Sequence, residues 1–92
     1  MYEFNRNDIE ERNRILQQKI AQLEIQRKRI QNKFNFKIPV YVLDEIIESN
    51  DRIIKDNLNA IINLARVNDR ISLKEAEILK EHYVFNNSSN IN

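Results

Sequence analysis

The chain has 92 residues, with 15 Lys and Arg against 14 Asp and Glu for a net charge of +1, one Pro, no Gly and no Cys. This length allows one domain, and a charge so close to balance excludes a surface that binds polyanions over its whole extent. Without Cys there are no disulfides or thiolate metal sites. Without Gly, tight hairpins and phosphate-cradling loops are disfavoured, so an all-α chain is expected.

Ile9, Leu16, Leu23 and Ile30 stand seven residues apart, and Ile20 and Phe34 occupy a-type slots between and beyond them. This repeat predicts an amphipathic helix over residues 6–34, about 43 Å long at the usual rise. A compact globule of this chain length has a radius of gyration of only ~12 Å, so an elongated or associated molecule is expected. Asn5 is placed to cap the helix and Phe4 to staple onto Ile9. Asp8, Glu10 and Glu11 at the start, with Arg27, Lys28, Arg29 and Lys33 at the end, suit the helix dipole. Ile38 precedes Pro39 and is pushed towards extended geometry, which stops the helix before it. Phe36, Ile38, Val40 and Val42 alternate as a short strand does, but the sequence offers no second strand to pair with it.

Pro39 suits the opening of a second helix, predicted over residues 40–69. Val40, Leu43, Ile47, Ile54, Ile61, Leu64 and Ile71 keep three–four spacing, and Ile46, Ile53, Ala60 and Val67 add a parallel stripe. A face this wide implies two neighbouring helices. Ser72 and Glu75 form a capping box, with Ile71 positioned to staple onto Ala76, and start a third helix over residues 73–84. The polar tail 86–92 is expected to be disordered.

These elements lead us to expect a long antiparallel helical hairpin, coiled-coil-like, with a short third helix, in a single domain spanning residues 1–85. Folding at residues 35–38 pairs positions whose numbers sum to about 74. Ile30 then meets Leu43, Ile20 meets Ile54, Leu16 meets Leu58, Ile9 meets Ala65 and Arg27 faces Glu48. The alternative is a parallel dimer through the first helix, with Asn13 setting its register. A chain this small buries about 65% of its unfolded surface, so a monomer is marginal and association is the available remedy. The short third helix cannot cover the whole second helix. Val42, Ile46, Ile53 and Ile25 are therefore expected to form an exposed patch that makes a homodimer or binds a partner protein.

Candidate chemistry is sparse. His82 is the only histidine, and Asp44, Glu45, Glu48 and Asp51 read as a solvated face near a helix start, so no catalytic, cofactor or metal site is expected and the protein is not expected to be an enzyme. The run Arg27, Lys28, Arg29, Lys33 and Lys37, interleaved with Phe34 and Phe36, has the composition to neutralise phosphates and stack on unpaired bases. The same cations also complete a helix C-terminus. No apolar run reaches the length of a membrane span, so a cytoplasmic protein without a membrane partner is expected. Abundant Ile and Asn fit an AT-rich genome such as that of a phage or plasmid. The expected function is a small helical interaction or regulatory protein, an adaptor or inhibitor that binds a partner protein through apolar helix faces. Nucleic-acid binding through residues 27–37 is the alternative.

Overall fold

The computed structural model describes residues 6–85, with Arg6 described in its backbone only. The expected cap at Asn5, the staple from Phe4 and the tail 86–92 lie outside the described residues. The described chain is all-helical: α1 (Arg6–Gln31), α2 (Val40–Glu48), α3 (Asp56–Val67), α4 (Leu73–Lys80) and a closing π-helical turn (Glu81–Phe85), with no strand among the described residues. None of these helices is long and apolar enough to cross a membrane.

α1 ends at Gln31 because the chain tightens there. Lys33 N–H donates to Ile30 O and Phe34 N–H to Gln31 O, both at 3.1 Å, in three-residue turns. The Gln31 side chain then clamps the connection: its Nε2 donates to Phe36 O at 2.7 Å and its Oε1 accepts from Ile38 N–H at 2.8 Å. One amide thus satisfies two backbone groups that the turn leaves without helical partners. Pro39 sits at the N-cap of α2 rather than inside it, and its carbonyl accepts from Val42 and Leu43 N–H.

The predicted second helix is two helices. Residues 40–48 and 56–67 are helical, and the chain leaves the helix at Ser49, Asn50 and Asp51. Side chains of these three types hydrogen-bond to nearby backbone and compete with helical bonds. Ser49 Oγ does so weakly, donating to Ile46 O at 3.4 Å. Lys55 folds back and its ammonium donates to Ser49 O, supplying a cation to the C-terminus of α2. Packing is the stronger reason. In a straight helix Val42 and Ile62 would stand about 30 Å apart. The break lets α3 return against α2, so that both join one core with Ile38, Leu43, Ile46, Leu58, Ala65, Ile71, Ala76 and Leu79.

α3 ends in a Schellman motif. Arg70 N–H donates to Ala65 O at 2.9 Å and Asp69 N–H to Arg66 O at 3.0 Å, with Asp69 at φ 59°. In a chain without Gly, Asp is among the residues that adopt this left-handed conformation at least cost. Asp69→Gly is therefore expected to raise stability by about 0.5–1 kcal/mol in urea unfolding. The capping box expected at the next helix is present: Ser72 Oγ accepts from Glu75 N–H at 3.1 Å, and Glu75 Oε1 accepts from Ser72 N–H at 2.8 Å. Ile71 and Ala76 are both buried there.

Every fully buried apolar side chain comes from residues 38–79, and α1 adds only Ile30 to the edge of that core. α1 therefore attaches by its C-terminal end to a head formed by residues 32–85 and projects beyond it. The extents are 56 × 34 × 25 Å and the radius of gyration is 17.5 Å. The expected hairpin pairing extends only as far as the turn: Ile30 reaches the core that contains Leu43, but Ile9, Leu16, Ile20 and Ile54 are all exposed. Leu58 and Ala65 pack inside the head instead. α2 and α3 cover each other, which leaves α1 no continuous groove to lie along.

Candidate partner-binding surface

The seven-residue repeat of α1 survives in the structure, but most of it faces water. Residues 7–22 are exposed throughout, with Ile9 at 43%, Leu16 at 57% and Ile20 at 51% of their full accessibility. Leu23 is half-buried. From Arg27 onward the same face of α1 meets the head. Arg27 Nε and Nη2 donate to the two carboxylate oxygens of Asp44 at 2.6 and 2.9 Å, while Ile30 and Phe34 pack on the core. Fork-to-carboxylate geometry of this kind fixes orientation as well as charge. These hydrogen bonds to the Asp44 carboxylate hold the pKa of the Arg27 guanidinium above its ordinary value. Desolvation opposes this, and the nearby charges of Asp44 and Glu24 add to it. Arg27 therefore docks α1 on the first turns of α2, using Asp44 rather than the expected Glu48.

The patch expected on the second helix does not form. Val42 is 0% and Ile46 4% exposed, both inside the core, because the return of α3 covers them. Ile53 is 91% exposed in the connection between α2 and α3. Ile25 is also exposed, on the side of α1 turned away from the seven-residue stripe. These four residues share no surface. The exposed stripe on α1 takes their place, and the sequence held a clue to it. Two apolar stripes run through residues 40–71 and can satisfy each other, while the single stripe of α1 has no counterpart.

The basic run is divided as well. Arg27 is committed to Asp44, and Lys28 is exposed. Arg29 and Lys33 line a cleft of about 310 Å³ with Gln26, Ile30, Ile46, Ile47, Asn50 and Tyr83. Lys37 lies in a different cleft, of about 300 Å³, with Pro39, Val40, Tyr41 and Arg70. The Phe rings are half-buried. Phe34 sits 5.5 Å from Phe36, 5.4 Å from His82 and 6.0 Å from Tyr83 between ring centroids, so it is spent on the seam between α1 and the closing turn. Val40, Tyr41, Leu64 and Val67 are also exposed on the head, where Tyr41 and Leu64 line one cleft with Ile61.

Tyr83 ties the closing turn to the head. Its hydroxyl is buried with no hydrogen-bond partner among the described residues, and burial raises its pKa above the ordinary value. A raised value means that the folded state holds the proton more tightly. The associated stability is complete below about pH 10 and is lost as pH rises through the folded value. Tyr83→Phe is expected to be neutral or to stabilise by about 1–2 kcal/mol in urea unfolding, and to remove this alkaline sensitivity. Marked destabilisation would mean that the hydroxyl has a partner.

Among the described residues no group of three or more His, Asp or Glu side chains is placed to share a metal ion. No known protein family, curated protein or solved structure matches the chain.

Proposed function

We propose that the protein is a small, non-enzymatic interaction or regulatory protein, an adaptor or inhibitor, that binds a partner protein through the apolar stripe on the free part of α1. The observation that carries this reading is the exposure of Ile9, Leu16 and Ile20 on a helix whose residues 7–22 are all exposed. A helical segment of this length is marginal in water without tertiary support. Its apolar repeat matches the pattern by which helices recognise other helices, at every third or fourth residue along one face. The head holds α1 at a defined angle through Arg27, Ile30 and Gln31, so the free stripe is presented rather than loosely tethered.

The nucleic-acid alternative has less in its favour. Arg27 is occupied, Arg29 and Lys33 line one cleft and Lys37 another, and Phe34 is packed against His82 and Tyr83.

The reading is tested with a Leu16→Asp, Ile20→Asp double variant of the full chain, immobilised beside the unchanged protein in an extract of its source cells. Both positions are exposed, so the head should melt as before. The unchanged protein is expected to retain a specific protein that the double variant loses. Identical retained sets would reject the stripe as a docking surface.

A further inference from the structure

We propose that the stripe on α1 is covered by a second copy of this chain running antiparallel to the first; the inference rests on the docking role proposed for α1 and names its occupant. Ile9, Leu16 and Leu23 occupy d positions of the repeat, and Asn13 and Ile20 occupy a positions. The same face continues into Arg27 and Ile30, where the chain's own head covers it. In a parallel pair each head would sit on the inner face of its own helix, in the volume needed by the other. In an antiparallel pair the heads lie at opposite ends. The exposed segments, residues 7–22 in each copy, then run past each other for about 24 Å, and each stops where the other's head begins. In this register Ile9 of one copy lies against Ile20 of the other, and Leu16 against Asn13.

Charges alone favour the opposite orientation. Arg12 and Lys19 flank the stripe on one side and Glu10 and Glu24 on the other. A parallel pair would set Lys19 against Glu24 and Asn13 against Asn13, whereas the antiparallel pair sets Arg12 beside Lys19. Exposed pairs of this kind are worth little and are screened by salt, while two heads cannot occupy one volume. Packing therefore decides the orientation, and the like charges leave a signature: the dimer tightens as salt is added. Two helix faces of this length bury roughly 1,000–1,200 Å², at the lower limit for a specific interface, so micromolar association is expected. A two-fold axis makes the contact self-complementary and closed, so it stops at the dimer.

The experiment is light scattering of the full chain from 1 to about 200 µM, combined with a distance between nitroxide labels. The chain has no Cys, so Asn7→Cys provides a single attachment point near the free end. The antiparallel pair places position 7 opposite position 22 of the other copy, for a label separation of about 25 Å; a parallel pair gives less than about 15 Å. The expected result is a dimer with the long separation, stronger in added salt, and a monomer for the Leu16→Asp, Ile20→Asp variant with an unchanged head transition. A short separation, a double variant that stays dimeric, or a monomer at the highest concentration would overturn the proposal. If the chain is monomeric but the extract still yields a protein lost by the double variant, the second copy is wrong and the docking role stands.

Discussion

Ile46→Asp is expected to unfold the head, and Ile53→Asp to leave its melting transition in place. The two residues are seven apart in one predicted helix and were expected to share one exposed face. In the structure Ile46 is 4% exposed against Leu58 and Leu79 in a single core, whereas Ile53 is 91% exposed in the connection before α3. An aspartate at position 46 removes a buried aliphatic group and places a carboxylate in the apolar core of the head. The penalty for such a change exceeds about 4 kcal/mol, close to the whole stability of a domain this size. The same substitution at position 53 exchanges one solvated side chain for another and should stay within about 0.5 kcal/mol. Circular dichroism melts of the two single variants decide the matter. Native-like melting of Ile46→Asp would mean that α2 does not pack as described.

Leu79→Ala should cost about 2–5 kcal/mol, and Leu16→Ala close to nothing at concentrations where the chain is monomeric. Both leucines sit on apolar stripes, and the seven-residue repeat marks Leu16 as a buried d position. Leu79 is fully enclosed by α3 and α4, so truncation leaves a cavity that the small head can close only in part. Leu16 is 57% exposed, so its truncation opens no cavity in the head. Urea unfolding should show a midpoint shift of roughly 1–2 M for Leu79→Ala with an unchanged slope. A comparable shift for Leu16→Ala at low micromolar concentration would show that α1 is packed against something within the monomer.

The local features of the chain were legible from its residues because they depend on neighbours a few positions apart. The long first helix, its polar exterior, the capping box at Ser72 and Glu75, the start of the second helix at Pro39 and the all-helical build of the described residues all follow from spacing, turn chemistry and side-chain geometry. Two global features did not follow. Residues 40–69 carry an almost unbroken helical repeat, and a period of three to four residues looks the same whether a helix continues or reverses. Ser49, Asn50 and Asp51 weaken the helix locally, but polar residues are also tolerated on a helix's wet face. Only the gain from bringing Val42 and Ile46 onto Leu58 and Ile62 decides for the break. Once that core had closed within residues 38–79, only the C-terminal end of α1 packed against it. The sequence by itself determined that α1 carries an apolar stripe. The tertiary structure decided that the stripe faces water over residues 9–20, because a repeat specifies which side chains seek burial and only the packing of the rest of the chain determines whether a partner is present to bury them.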